Sequence, residues 1–326
     1  MLKRMFRALR QRALLPLQTQ IANLQTQIAN LQTQIANLQT QIANLQCEIA
    51  DLSYNVAANA KTSPAVKIGQ RHLFHRYRSL VSQGTAPALR DTGYRVFSQF
   101  EEDGKLLFIF AAIGIPRGTF IDIGSADGIN SNCANLALNF GWSGLFIDGR
   151  ADNIERGEKF YQQHPDAWLD PPRFIRAMVT RENINDVIKQ ASLGDQIDLM
   201  SIDIDGNDYW VWDAIECVTP SVVIVETHIE FGTRSIVVPY DKDYVYPGKH
   251  PDYHGASPVA MAKLANKKGY RLVGSNEYGF NTIYIRRGLV EDALPEVSPE
   301  TVLAHPRNLV RAKLFDPIRN WEYVEV

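Results

Sequence analysis

From residue 17 to residue 52 the chain repeats a seven-residue unit, Leu-Gln-Thr-Gln-Ile-Ala-Asn, with almost no variation. Leucine falls at 17, 24, 31, 38, 45 and 52, and isoleucine at 21, 28, 35, 42 and 49. Apolar residues spaced alternately four and three apart lie along one stripe of an α-helix. With Ile at a and Leu at d, the pattern favours a parallel two-stranded coiled coil. Glutamine fills e and g, so no charge sets the register, and identical heptads can slip by seven residues at little cost. Such a helix would run roughly 50 Å, with Pro16 placed at its start. A helix with a full apolar stripe does not stay alone in water, so residues 17–52 are expected to self-associate.

Past residue 52 the pattern changes. Residues 53–93 carry Asn55, Asn59, Ser63-Pro64, Gly84 and Pro87 around a short basic helix at 68–81, and read as a linker. From residue 94 to 288, short β-branched runs alternate with helical segments. Strands are expected at 120–123, 145–148, 174–179, 197–202, 222–226, 271–273 and 282–286. Helices are expected at 105–113, 132–140, 155–162, 183–191, 209–215 and 258–268. This alternation predicts an α/β fold, a parallel sheet with helices on both faces. Gly274 to Phe280 is too short for a crossover helix, so the last two strands should form an antiparallel hairpin. Residues 289–326 carry proline at 295, 299, 306 and 317 and a predicted helix at 309–315, and read as a C-terminal extension.

Composition narrows the classes. The 326 residues are 45% hydrophobic with a formal net charge of −2, so nothing global calls for nucleic acid or an anionic membrane. Cys47, Cys133 and Cys217 are odd in number and far apart; they suggest neither a disulfide framework nor a zinc site, and fit a reducing, cytoplasmic setting. No apolar run reaches the roughly 18 residues of a spanning helix. Residues 1–16 are basic, with Lys3, Arg4, Arg7, Arg10 and Arg12, and Met5, Phe6, Leu9 and Ala13 share a helical face. The favoured reading is a solvated start to the helix. The lesser one is a peripheral contact of residues 1–15 with the inner face of a membrane.

Candidate chemistry sits between Gly118 and Arg150. The run Phe120-Ile-Asp122-Ile-Gly124-Ser125-Ala126-Asp127-Gly128 is a strand ending in an acid and a glycine turn. A second apolar run then ends at Asp148. An acid about 20 residues past a glycine turn, at the next strand's end, can accept hydrogen bonds from ribose hydroxyls. The spacing is G-x-x-x-G rather than the dinucleotide G-x-G-x-x-G. Asp122 and Asp127 beside the turn would repel a pyrophosphate but suit a cationic ligand. This points to S-adenosylmethionine (SAM), with Asp122, Gly124, Ser125, Gly128, Asp148 and Asp203 as cofactor-binding candidates. Beyond the fourth and fifth strands stand Asp203-Ile-Asp205 and Glu226-Thr-His228. Asp203, Asp205 and His228 are candidate proton acceptors, His228 preferred because its ordinary pKa lies near neutrality. A calcium loop fails, because Asp208 and Ala214 stand where Gly and Glu are needed. The sequence has no P-loop and no H-E-x-x-H, and no metal ligands are assigned. Two rivals remain: a metal-dependent glycosyltransferase using Asp203-x-Asp205, and an inactive scaffold on the same fold.

Ser98-Gln99, Glu102-Asp103-Gly104, Phe120 to Gly128, Gly144-Leu-Phe-Ile-Asp148 and Ser201-Ile-Asp-Ile-Asp-Gly206 together resemble the FkbM-like SAM-dependent methyltransferases. Gly255-Ala-Ser257 and Lys268-Gly-Tyr-Arg-Leu-Val273 fit the same pattern. The resemblance runs from about Tyr94 to Arg287. It implies the Rossmann-like class I methyltransferase fold and O-methylation of a small-molecule or glycan acceptor. It also implies SAM binding by Asp122, Gly124, Gly128 and Asp148. One departure stands out. Relatives carry an acid-Gly-x-Glu run after the fourth strand, where this chain has Asp205-Gly206-Asn207-Asp208.

Overall fold

The computed structural model describes residues 2–326. Met1 lies outside the described residues, as do the side chains of Arg4, of residues 8–13, 47, 48 and 50–55, and of 57–59. The expectations resting on Arg4, Leu9, Arg10, Arg12, Ala13, Cys47, Leu52, Asn55 and Asn59 therefore fall outside it. The chain forms two compact units, Met1–Ala60 and Lys61–Val326.

The first unit is one long helix, α1 (Leu2–Lys61), about 90 Å at 1.5 Å per residue. Pro16 lies inside it rather than at its start. The Leu, Ala, Arg and Lys residues ahead of the proline are strong helix formers, so the proline costs a hydrogen bond without stopping the helix. The heptad residues from Leu17 to Leu45 each keep 52–57% of their surface exposed, so a single chain leaves the apolar stripe uncovered. On the opposite side Thr19, Thr26, Thr33 and Thr40 each donate to the carbonyl four residues back at 3.0 Å.

The second unit begins with α2 (Pro64–Ser82), α3 (Glu102–Ile113), β1 (Thr119–Ile123), α4 (Ala134–Phe140), β2 (Ser143–Asp148), α5 (Ala151–Gln163) and β3 (Arg173–Arg176). It continues with α6 (Ile184–Gln190), β4 (Gln196–Ile202), α7 (Asp208–Ala214), β5 (Thr219–Glu226), β6 (Ile236–Val237), α8 (Pro258–Lys267), β7 (Tyr270–Ser275) and β8 (Asn281–Arg286). The C-terminal region adds α9 (Pro299–Val302), α10 (Pro306–Arg311) and β9 (Val324–Glu325). The main sheet has the order β3-β2-β1-β4-β5-β8-β7. The first five strands are parallel, and β8 runs antiparallel to both β5 and β7. This is the expected seven-stranded, mostly parallel sheet with a C-terminal hairpin. Helices cover both faces, so β1, β2, β4 and β5 are buried almost throughout.

Two further stretches differ from expectation. Residues 53–61 continue α1, and α2 is no linker helix. Its Gln70 is buried and exchanges two hydrogen bonds with Asn135 of α4, at 3.1 and 2.7 Å, while Tyr77 packs edge-on against Phe108 of α3. The strand expected to reach residue 179 stops at Arg176, because its only neighbour, β2, ends at Asp148, directly opposite. Residues 289–326 fold back onto the domain. Strand β9 pairs with β6, and Phe315 and Ile318 bury themselves against Phe231 and Ile236.

Candidate functional site

In the parallel sheet the chain steps from β1 outward through β2 to β3 and then crosses back to β4 on the other side of β1, and this reversal of strand order opens a crevice beyond the carboxyl ends of β1 and β4. The glycine turn fills the floor of that crevice. Gly124 has φ +83°, and a Cβ there would lie 1.7 Å from the Asp203 carbonyl oxygen. The glycine therefore admits the backbone leaving β4, and not only a ligand. The Gly124 and Ser125 amides both donate to the Ile147 carbonyl of β2, at 2.9 and 3.1 Å, and Ser125 is buried. Gly128 turns with φ +70° against the Phe146 ring.

Asp148 closes on this turn. Its Oδ2 accepts the Ala126 amide at 3.0 Å, and its Oδ1 accepts the Arg150 amide at 2.8 Å and the Asn153 side-chain amide at 3.1 Å. The acid at the end of β2 and the turn after β1 are thus brought together as expected. Asp122 is different. It is buried, accepts a hydrogen bond from the Ser131 hydroxyl, and is pushed up to about 6 by burial, against the hydrogen bonds of Ser131, Ser201 and Cys133. It pins the segment entering α4. Asp127, at the turn's edge, pairs with Arg156 at 3.3 Å.

Beyond β4 the chain makes a tight loop. Asp208, the first residue of α7, accepts the Ile204 and Gly206 amides, each at 2.9 Å. Its carboxylate closes this loop. Asp205 sits in the left-handed region at φ +55° and is exposed. Burial lifts the pKa of Asp203 far above the ordinary carboxylate range, and the neighbouring Asp208, Asp205 and Asp122 add to it. Glu226, at the end of β5, is raised in the same way by burial and by Asp203, Asp208 and Asp205. Burial also raises Asp205, with His228 opposing.

His228 is buried two residues past β5. Its Nε2 lies 2.9 Å from Nδ1 of His254, and its Nδ1 lies 3.5 Å from Glu230 Oε2. Burial works to raise Glu230, but His228 and Arg311 outweigh it and hold the carboxyl down at about 2. Burial, then His228, lowers His254 to about 3. His254 had no sequence signal beyond the glycine that follows it. The segment behind it is threaded into the site by backbone bonds: His228 N to Ala256 O at 2.8 Å, Val238 N to Gly255 O at 3.0 Å, and Gly255 N to Gly206 O at 3.0 Å. Gly255 has φ +71°, and a Cβ there would meet the His228 ring at 2.8 Å.

No family profile matches the sequence, and no curated protein matches it. Among solved structures, the chain is similar to an O-methyltransferase family protein from Burkholderia thailandensis, at 13% identity over 67% of this chain and 70% of that one, with a TM-score of 0.34. It is also similar to the magnesium protoporphyrin IX methyltransferase of Synechocystis PCC 6803 with bound SAM, at 13% identity over 54% of this chain and 74% of that one, with a TM-score of 0.32. At these scores the likenesses carry nothing about activity.

Proposed function

We propose that residues 94–288 form a SAM-dependent O-methyltransferase of FkbM-like type, acting on a hydroxyl of a saccharide or glycan-type acceptor and oligomerised through residues 17–52. The carrying observation is the carboxyl edge of β1 and β2, where the Asp148 carboxylate closes on the glycine turn through the Ala126 amide. The residues fit the cofactor by their chemistry. Among the described residues no lysine or arginine forms an ion pair with Asp122, Asp148, Asp203 or Asp205. An acid-lined crevice suits a ligand bearing an ammonium and a sulfonium, and repels phosphates.

In this reading Asp148 holds the ribose, and Asp122 and Gly124 fix the turn that supports it. Asp203 faces the cofactor's cationic end. Bound SAM supplies an activated methyl group, so the chain's own task is to align the acceptor oxygen and take its proton. His228 is enclosed by His254, Glu230 and Gly255. Asp205 is the exposed acid on the rim and is assigned as the proton acceptor.

The test is a thermal-shift titration of the full chain with SAM, S-adenosylhomocysteine, NAD and a UDP-sugar with manganese in parallel. A ligand that binds only the native state stabilises it by about 2.7 kcal/mol at a hundredfold excess over Kd. A rise with the two adenosyl ligands alone is expected. A rise with the UDP-sugar alone would transfer Asp203 and Asp205 to glycosyl transfer, and no rise with any ligand would favour a scaffold.

A further inference from the structure

Next to the cofactor crevice, beyond β5, three side chains from two distant segments converge. Glu226, His228 and His254 each offer a ligand atom, and these atoms all lie within 4.8 Å of one another. Glu226 also stands within 4.8 Å of carboxylate oxygens of Asp203 and Asp205, so one side of the trio opens onto the acid rim. Both histidines are more than nine-tenths buried.

Two further features prepare His228 as a ligand. Its Nδ1 makes no hydrogen bond, and the nearest carboxylate is Glu230, 3.5 Å away and itself held by Arg311 Nε at 2.6 Å. A carboxylate behind a ring nitrogen keeps the proton on that side and leaves Nε2 with its lone pair forward, as in carboxylate–histidine–metal arrangements. Gly255 leaves room for the same ring, because a Cβ there would come within 2.8 Å of it. The facing nitrogens, His228 Nε2 and His254 Nδ1, are 2.9 Å apart. A tetrahedral ion with Zn–N bonds of about 2.0–2.1 Å separates its nitrogens by about 3.3 Å, so the rings need part by only a few tenths of an ångström.

We propose that Glu226, His228 and His254 bind one Zn2+ ion, with the fourth position open toward Asp203 and Asp205. Two histidines, one glutamate and an open position form a catalytic rather than a structural zinc set. Its use rests on the methyltransferase reading: an acceptor hydroxyl taking the open position would lose its proton more readily, and Asp205 stands on that side to receive it.

The binding test needs no cofactor. The full chain, freed of metal with a chelator, is titrated with Zn2+ against a competing chelator, and with Co2+ followed by its visible absorption. One tight site per chain is expected, with a tetrahedral Co2+ spectrum. His254→Ala and Glu226→Gln should each weaken Zn2+ binding at least tenfold, while His72→Ala and His75→Ala on α2 leave it unchanged. Circular dichroism and the metal-free unfolding midpoint report whether each variant is folded. Absence of a tight site, or a site that survives both His254→Ala and Glu226→Gln in folded protein, overturns the proposal. SAM titration of the same samples separates the two readings. Zn2+ binding without SAM binding keeps the metal site and removes the methyltransferase reading, and the reverse result does the opposite.

Discussion

Replacing Asp148 with Asn tests the cofactor crevice at the end of β2. Each carboxylate oxygen can accept about two hydrogen bonds. Oδ1 already accepts two, from the Arg150 amide and Asn153, and Oδ2 accepts one, from Ala126. One acceptor position is therefore open for a ribose hydroxyl, and a second opens only if Asn153 lets go. Asn keeps one acceptor oxygen, so the variant must give up either the Ala126 bond or the pair on Oδ1. A hydrogen bond to a charged acceptor is worth about 1.5–3 kcal/mol, and one between neutral groups about 0.5–1.5 kcal/mol. Losing the charge at one ribose contact thus removes on the order of 1.4 kcal/mol, or tenfold in Kd. Calorimetric titration with SAM and S-adenosylhomocysteine should show both Kd values raised at least tenfold. The ligand-free midpoint should fall by only a few degrees, as about 1 kcal/mol does in a domain of this size. Asn153→Ala supplies the contrast, because it frees an acceptor position on Oδ1 and should leave affinity equal or improved. A Kd within threefold of the parent for Asp148→Asn would refute the assignment of Asp148 to the ribose.

Further outcomes follow from other parts of the molecule. Gly124→Ala adds a Cβ 1.7 Å from the Asp203 carbonyl at φ +83°, and should cost about 3 kcal/mol or more in urea unfolding; a loss under 1 kcal/mol would mean that β1 and β4 separate easily. Burial raises Asp103 from 3.8 to about 6 against four hydrogen bonds from residues 96–98. The folded chain thus holds a proton between those pH values that the unfolded chain has released. The resulting stability is complete below pH 4 and lost as pH rises through 6, by up to about 3 kcal/mol. Asp103→Asn should remove that slope from a urea series run between pH 4 and 7, and an unaltered slope would sink the assignment. Arg311→Ala leaves the buried Glu230 without its guanidinium; because Arg311 is half exposed, the expected loss is about 1–2 kcal/mol, read by thermal unfolding. Deleting residues 17–52 should convert an oligomer to a monomer by light scattering, and an unchanged mass would place self-association elsewhere.

The sheet was legible in the sequence because its strands are buried on both faces. Ile121-Asp-Ile123, Leu145-Phe-Ile147 and Val222 to Val225 read as apolar runs wherever the chain is cut, and each falls inside an observed strand. Strand β3 was overextended because Ala177, Met178 and Val179 continue the apolar run while their only pairing partner has ended. The run shows propensity, but the length of an edge strand is set by its neighbour. Residues 53–93 misled for the opposite reason. Proline and glycine mark the ends of α2 correctly, but its packing joins distant segments, Gln70 on Asn135, Phe74 on Phe140 and Tyr77 on Phe108, which local periodicity does not show.

The rim beyond β5 was half legible, and the missing half is informative. Asp203, Asp205, Glu226 and His228 follow directly from strands, so a correct strand assignment places them together. His254 arrives at the end of the long irregular segment after β6, and backbone bonds, the bridge of Val237 to Ala256 among them, return it to His228. That bridge is steadied from outside the sheet, since β9 pairs with β6 and Arg311 holds Glu230 behind His228. The C-terminal residues 289–326 therefore support both histidines: one through the strand that leads into its loop, the other through the carboxylate at its back. Substitutions in this extension should accordingly change the ring geometry at His228 and His254 while leaving the Asp148 turn, on the far side of β1, undisturbed. Histidine side-chain NMR resonances in Arg311→Ala provide the reading: shifts at His228 and His254 with unchanged SAM affinity support this division, and a loss of SAM affinity in folded protein would show that crevice and rim act as one unit.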